Sequence, residues 1–252
     1  MEASAPTLGV KRGERLFVEL ADSPDAVRES QALRYDVFGA ELGAKLKAGE
    51  HRLDRDEFDP FCEHLLVRET KTGRVVGCTR LLSGIGAREL GRFYSEKEFD
   101  LGPIPSFDGG LLELGRTCVS PDCRRGSAIA VLWSGVAHYI QQHQIDYLFG
   151  CASVPLGNND CQAAAIMNRL RRQAMAPHWL RVVPRVPLQA TGVADEVLDA
   201  PLPALLKGYV RLGAVACGEP CRDPDFEVAD ILMLLDMRSV NPSYARHFLE
   251  RC

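Results

Sequence analysis

One stretch, from Leu111 to Ile140, constrains the fold more than any other part of the chain. It reads LLELGRTCVSPDCRRGSAIAVLWSGVAHYI. The segment from Leu111 to Val119 is mostly apolar and β-forming, which predicts a strand. Apolar residues at three- and four-residue intervals predict a helix from Gly126 to His143. The stretch therefore predicts a strand that leads through a basic, glycine-containing turn into a long helix.

The remaining pattern indicates an α/β mixture. We predict four further strands, at Leu16–Leu20, His64–Glu69, Val75–Leu82 and Asp146–Ser153, and a last one at Ala229–Met237. Ser23 and Pro24 are typical of a helix start, and Asp160 is placed to cap a later helix. No change of composition divides the chain, so we predict a mobile N-terminal tail over residues 1–14 and one domain over 15–252. Its C-terminal extension begins near residue 190.

Composition excludes several classes of protein. The chain is 46% apolar and 25% charged, which is ordinary for a soluble globular protein. A net charge of −4 gives no general reason to expect nucleic-acid binding. Charges and turns interrupt every apolar run well before membrane-spanning length, and the N-terminus lacks the apolar core of a signal peptide. We therefore expect a cytoplasmic protein.

The nine cysteines form no C-x-x-C pair, and their number is odd. Several lie inside apolar segments, so we expect reduced, buried thiols. A zinc site made of Cys118, Cys123 and a histidine would depart from the usual ligand spacing. We predict no metal ion.

Charged side chains interrupt otherwise apolar segments at four places: Arg34, Arg80, Glu113 and Arg116. The acidic loop DRDEFD supplies three carboxylates: Asp54, Asp56 and Asp59. Charges in apolar surroundings are rarely buried without a partner, so we predict that these residues form one polar cluster.

Glu113 and Arg116 lie three residues apart, so a regular strand would point them to opposite faces. A bulge, which Gly115 would tolerate, could bring them to one side. Two other interpretations stay open at this point. Glu113 could pair with an arginine to fix the register of the core, or it could face solvent at alternate positions.

The turn after this strand combines Arg124, Arg125 and Gly126 with the start of a helix. Free N–H groups at a helix start can bind phosphate, so the turn is a candidate phosphate site. An ordinary charged turn explains the same residues equally well.

The order of strand, basic glycine turn, long helix, strand and helix resembles the GNAT-like acyl-CoA N-acyltransferase fold. That resemblance implies two splayed central strands with the pantetheine arm of an acyl donor between them. The family pattern at the turn is Gln/Arg-x-x-Gly-x-Gly/Ala, and here Cys123 stands at its first position. A donor with one phosphate, acyl carrier protein, would need less from this turn than coenzyme A.

Two narrower resemblances identify candidate site residues. LRYDVF, DRDEFD, GCTRLL and LELGRTCV are similar, in this order, to landmarks of acyl-homoserine-lactone synthases. ELGRTCVSPDCRRG and the segment LPALLKGYVRLGAVACGEPCRDPDFEVADILMLLDM resemble bacterial ornithine N-acyltransferases that make lyso-ornithine lipid. The implied catalytic residues are Glu113, Arg116 and Arg80. The implied substrate-binding residues are Arg34, Phe38, Asp54, Asp56 and Asp59. The implied acyl-donor residues are Cys118, Val119, Arg124, Arg125, Gly126, Ser127 and Ala128.

The resemblance implies transfer of a 3-hydroxyacyl group from acyl carrier protein to the α-amine of L-ornithine, with no bound cofactor. Glu113 would take a proton from the amine. Arg116 and Arg80 would orient Glu113 and bind the substrate carboxylate, and Asp54 with its acidic neighbours would hold the side-chain ammonium. The amphiphilic product implies a loose contact with the inner membrane. Alternatives are an acyl-homoserine-lactone synthase, another amino-acid N-acyltransferase, and a non-enzymatic acyl-binding module.

Overall fold

The structure is a computed structural model that describes residues 15–46, 51–124, 127–157, 160–188 and 200–240. The predicted tail over residues 1–14 and the predicted start of the extension near residue 190 lie outside the described residues. Two compact units are present, one formed by residues 15–82 and 115–144 and the other by residues 83–114 and 145–240. Within the described ranges, no helix combines the length and the apolar character needed to span a membrane.

The described residues form ten strands and five α-helices along the chain. The strands are β1 (Leu16–Leu20), β2 (Glu63–Glu69), β3 (Val75–Ser83), β4 (Phe99–Asp100), β5 (Gly110–Val119), β6 (Ile145–Pro155), β7 (Val183–Pro184), β8 (Val215–Ala216), β9 (Cys221–Asp223) and β10 (Val228–Asp236). The helices are α1 (Pro24–Arg34), α2 (Gly84–Leu90), α3 (Ala128–Gln142), α4 (Cys161–Gln173) and α5 (Ala204–Leu212).

The first unit is a sheet of β1, β2, β3 and the second half of β5, with helices α1 and α3. β1 pairs antiparallel with β2, and β2 with β3, so the predicted strands at His64–Glu69 and Val75–Leu82 form a hairpin. The hydroxyls of Thr79 and Thr117 lie 2.7 Å apart across β3 and β5. Helix α3 packs on β1 and β2 at Gly135, where an added Cβ would meet Val18 at 2.5 Å.

Helix α1 begins as the sequence predicts and ends in an unusual turn. The Ser23 hydroxyl accepts a hydrogen bond from the N–H of Ala26, and Pro24 occupies the first turn. After Arg34 the chain continues as a π-helical turn, Tyr35–Glu41. Such widened turns occur mostly as short insertions in helices, often at functional sites.

The second unit contains the first half of β5, together with β6, β10 and the short strands β8 and β9. β5 and β6 are parallel, and their ladder runs from Gly110↔Ile145 to Glu113↔Phe149. β6 continues to Pro155, paired antiparallel with β10. The ladder between the two central strands therefore covers only their first residues, as the predicted splay requires.

The left-handed residue in β5 is Arg116, with φ 52°, next to the Gly115 that would tolerate a bulge. The structure corrects one local prediction. Asp160 occupies the cap position before α4 but makes no capping hydrogen bond with its side chain. Its carboxylate instead binds Arg222 Nη2 at 2.6 Å, so an ion pair has replaced the expected cap.

Candidate active site

Arg34 lies at the end of α1 with 1% of its surface exposed. Its guanidinium donates from Nε to Asp54 Oδ2 at 2.9 Å and from Nη1 to Asp59 Oδ1 at 3.0 Å. A further bond joins Nη2 to Asp59 Oδ2 at 3.1 Å, and the carbonyl oxygen of Asp54 also accepts from Nη2. The predicted arginine of helix α1 and the acidic loop are thus joined in the interior of the first unit.

Arg80 on β3 and Arg116 on β5 extend the same cluster. Arg80 Nη1 lies 2.5 Å from Asp56 Oδ1 and 3.0 Å from Asp59 Oδ1. Arg116 Nε lies 3.0 Å from Asp54 Oδ2. Three guanidinium groups and three carboxylates therefore interlock, which brings together six of the predicted site residues and neutralises their formal charges.

Burial and ion pairing shift the pKa values of three members of the cluster, Asp59, Arg34 and Asp56. Burial alone would raise the pKa of Asp59, but Arg34 and Arg80 outweigh it and lower that pKa to about 2. Burial opposes the charged form of Arg34, and the attraction of Asp54 and Asp59 nevertheless raises its pKa. Asp56 has a lowered pKa because Arg80 more than compensates for burial. All of these groups are therefore ionised at neutral pH.

Phe38 and Cys118 lie at an apolar part of the first unit. Cys118 is buried, with its Sγ 3.6 Å from that of Cys78, and Phe38 packs against the same group of core residues. The hydrogen bond to Cys78 and burial both raise the pKa of the Cys118 thiol, so it carries its proton at neutral pH. Val119, next in β5, is also buried.

The predicted donor turn is described only in part. Arg124 donates to both carboxylate oxygens of Glu41, from Nη1 at 2.6 Å and from Nη2 at 2.7 Å. Its Nε donates to the carbonyl oxygen of Val119 at 3.1 Å. Arg125 and Gly126 lie outside the described residues. Ser127 is the cap residue of α3, which begins at Ala128, and its side chain makes no capping bond.

Glu113 belongs to the second unit, on the first half of β5, and only 2% of its surface is exposed. Oε2 accepts from the N–H of Tyr94 at 2.7 Å. Oε1 accepts from the N–H of Ser95 at 2.8 Å and from its hydroxyl at 2.5 Å. Three donors from one short turn therefore hold the carboxylate in a fixed orientation.

Known proteins resemble this chain over nearly its whole length. Residues 33–134 match the acetyltransferase (GNAT) domain family. An L-ornithine N(alpha)-acyltransferase of Rhodobacter capsulatus is 37% identical over 246 residues, covering 93% of this chain and 95% of the relative. The chain belongs to the L-ornithine N(alpha)-acyltransferase family. A second member, from Rhizobium meliloti, is 33% identical over 250 residues, covering 92% of this chain and 84% of the relative.

Solved structures give the same fold. A CoA-dependent acyl-homoserine lactone synthase, BjaI, solved with SAM and isopentyl-CoA, superposes with a TM-score of 0.52. The match covers 90% of this chain and 82% of that chain at 14% identity. At this identity the likeness supports the fold alone, and it agrees with the predicted GNAT-like architecture. The family membership shown by the L-ornithine N(alpha)-acyltransferases makes the chain an N-acyltransferase.

The acyltransferase holds Glu113 with two residues that the sequence did not identify, Tyr94 and Ser95. Every residue except proline has a backbone N–H group, so these donors cannot be recognised in a sequence. Ser95 also lies 18 residues before Glu113, too far for a local pattern. Gln31 was missed as well, although its amide donates to Asp59 Oδ2 at 3.0 Å. Its position on α1, one turn before Arg34, is the signal that could have found it.

The second unit of the acyltransferase also contains three carboxylates whose oxygens lie within 4.8 Å of one another, those of Glu98, Asp223 and Asp230. Burial, and then the charges of Asp230 and Asp223, raise the pKa of Glu98 to about 9. Glu98 therefore holds a proton at neutral pH. The eight cysteines among the described residues are all free, but only four of them are buried as predicted: Cys78, Cys118, Cys217 and Cys221.

Proposed function

We propose that this acyltransferase moves a 3-hydroxyacyl group from acyl carrier protein to the α-amine of L-ornithine and so forms lyso-ornithine lipid. The observation that carries the proposal is the end-to-end similarity to proteins named L-ornithine N(alpha)-acyltransferase. The reaction would take place in the cytoplasm, where the amphiphilic product would give the enzyme a peripheral contact with the inner membrane.

The chemistry requires a neutral amine that attacks a thioester. A reference α-amine titrates near ~8 and a lysine-like side-chain amine near ~10.4, so the α-amine of ornithine loses its proton more readily. A base that removes this proton directs acylation to the α-position. The side-chain amine stays a cation and does not compete.

Glu113 is the base in this proposal. The bonds from Tyr94 and Ser95 fix its carboxylate, and a fixed carboxylate can take a proton from a bound amine directly or through one water. N–H groups near the left-handed residue Arg116 would polarise the thioester carbonyl, in the manner of an oxyanion hole.

Arg80 and Arg116 would bind the carboxylate of ornithine, because a planar guanidinium suits a carboxylate. The predicted binding of the side-chain ammonium by Asp54 and its acidic neighbours stays part of the proposal. These aspartates already neutralise arginines, so an ammonium ion would have to share their oxygens. Phe38 would contact the substrate beside them.

The donor would be acyl carrier protein, whose acyl thioester is formed with the thiol of a phosphopantetheine arm that carries one phosphate. The residues proposed to face it are Cys118, Val119, Arg124, Arg125, Gly126, Ser127 and Ala128. Arg124 would release Glu41 to meet an acidic partner, a kind of contact that mainly affects the association rate. Coenzyme A thioesters are the alternative donor, because the structurally similar lactone synthase is CoA-dependent.

The test is to incubate the purified protein with 3-hydroxyacyl carrier protein or the matching CoA thioester and a panel of amino acids. Mass spectrometry then identifies the acylated product. Acylation of ornithine at its α-amine supports the proposal, and a lactone or another acylated amino acid supports the alternatives. Donor binding without thiol release would leave only the non-enzymatic acyl-binding module.

The same assay tests the base. Glu113→Gln should lower turnover by a factor of about 10² to 10⁴, because the amide cannot accept the proton. Glu89→Gln, the same change at an exposed site, is the control and should keep the native rate. Near-native turnover of folded Glu113→Gln would remove Glu113 from this role.

A further inference from the structure

Glu113 is too buried to exchange protons with bulk water directly, since only 2% of its surface is exposed. A base that takes one proton in every cycle must release it before the next cycle. The surroundings of Glu113 within the second unit should therefore contain a path for that proton.

Hydrogen-bonding groups lead away from the Glu113 carboxylate in unbroken contact. Ser95 Oγ lies 2.5 Å from Glu113 Oε1 and 3.3 Å from Cys151 Sγ. Cys151 Sγ in turn lies 3.3 Å from Glu98 Oε2. Glu98 is a partly exposed residue, so the chain runs from a buried residue to one that lies nearer the surface.

Each member of the chain can both accept and donate a proton. Serine hydroxyl and cysteine thiol groups do so by nature. Loss of solvent, and the charges of Glu98 and Asp230, keep the pKa of the Cys151 thiol well above its usual value. The thiol therefore keeps its proton at neutral pH. A protonated carboxyl group can take a proton on one oxygen and release one from the other.

We propose that Ser95, Cys151 and Glu98 form a proton relay that deprotonates the Glu113 carboxyl group after each acyl transfer. This inference rests on the proposed function, in which Glu113 is the base. Protonated Glu113 gives its proton to Ser95 Oγ, the Ser95 hydroxyl proton passes to Cys151 Sγ, and the Cys151 thiol proton passes to Glu98 Oε2. Because Glu98 already holds a proton at neutral pH, it releases that proton from Oε1 to water or to an adjoining carboxylate as Oε2 takes up the new one. The net change is the transfer of one proton from Glu113, through Glu98, to that acceptor, and no bond between heavy atoms forms or breaks.

Glu98 can discharge the proton because other carboxylates adjoin it. Asp223 on β9 and Asp230 on β10 contribute oxygens within 4.8 Å of its own. Asp230 Oδ1 accepts from the Ser153 hydroxyl at 2.6 Å, which fixes its orientation. With Cys151 on β6, these are the titratable groups around Glu98 that the relay uses.

The decisive comparison is between Cys151→Ala, which removes the central link, and Cys151→Ser, which keeps a hydroxyl there. Turnover of ornithine and donor is measured at pH 7 and at increasing imidazole concentrations, and folding is checked by circular dichroism. We expect Cys151→Ala to lose at least about tenfold in kcat, part of the ~10² to 10⁴ that a base contributes, with KM for ornithine unchanged. Imidazole should restore part of the loss. The kcat of Cys151→Ser should stay within about threefold of the native value and should not change when imidazole is added.

Native kcat in Cys151→Ala overturns the relay. Equal losses in both variants without an imidazole effect also overturn it, because they indicate a packing role. If Cys151→Ala does not fold, Glu98→Gln is the test variant, because an amide cannot pass the proton on. Slow turnover that imidazole raises supports the relay, and native turnover overturns it.

Wild type and Glu113→Gln are assayed alongside. A wild type that does not acylate ornithine, or an active Glu113→Gln, marks failure of the proposed function instead.

Discussion

Arg34 and Asp59 form a doubly hydrogen-bonded ion pair, with Nη1 3.0 Å from Oδ1 and Nη2 3.1 Å from Oδ2. The Arg34 and Asp59 side chains are 1% and 6% exposed, so water solvates neither charge to any extent. A buried charge is tolerated only with a partner of opposite charge. Removal of either residue would therefore leave the other as an uncompensated buried charge. The pair joins helix α1 to the acidic loop and supports the wider cluster of predicted site residues.

Removal of Arg34 should destabilise the fold strongly. Arg34→Met leaves Asp54 and Asp59 buried without their main partner, and breaking a buried pair in this way costs about 3–5 kcal/mol. The free energy of unfolding in urea measures the effect. Arg28→Met, on the same helix, is the control, because that arginine is half-exposed and its ion pair with Asp25 is worth at most about 1 kcal/mol. Equal costs for the two variants would contradict the assigned burial.

Asp59 should make the fold sensitive to acid. Its pKa is about 2 in the folded protein and 3.8 in the reference state, so the folded protein binds fewer protons between these values. The stabilisation is present above about pH 4 and is lost as the pH falls towards 2; for this group it amounts to about 2 kcal/mol.

Urea titrations between pH 5 and 2 test this prediction. Asp59→Asn should lower the free energy of unfolding at pH 5. It should also reduce the loss of that free energy below pH 4, because asparagine does not titrate. Asp36→Asn is the control, since this aspartate is exposed and its ion pair with Arg52 lies at the surface. The prediction is wrong if Asp59→Asn retains the slope of the wild type.

Local chemistry made much of the fold predictable. Ser23 and Pro24 mark a helix start by their own side chains, and the hairpin of β2 and β3 follows from two β-forming segments around a turn that contains Gly73. The two compact units, by contrast, follow from contacts between distant segments, which no local pattern records. The single predicted domain remains a prediction.

The ion-pair cluster of arginines and aspartates was predictable in its members but not in its pairing, and its role as a site stays a prediction. Charges inside apolar segments need partners, so Arg34, Arg80 and the acidic loop were expected together. Which carboxylate meets which arginine depends on backbone geometry, such as the left-handed conformation of Arg116. The turn at Ser95 that holds Glu113 acts mainly through N–H groups, which every residue except proline possesses.

The packing of α3 on the first unit's sheet gives a last prediction, at Gly135. An added Cβ would meet Val18 Cγ2 at 2.5 Å and Leu65 Cδ2 at 2.8 Å, so Gly135→Ala must push the helix from β1 and β2. We expect a net loss of about 1–2 kcal/mol, since overpacking costs more than the helix propensity of alanine returns. Gly208→Ala in α5 is the matched control, because nothing lies within 4 Å of its added Cβ. This variant should be stabilised by about 0.5–1 kcal/mol through helix propensity, without a packing cost. Thermal and urea unfolding of both variants measure the difference, and a stabilised Gly135→Ala would refute the close approach of α3 to the sheet.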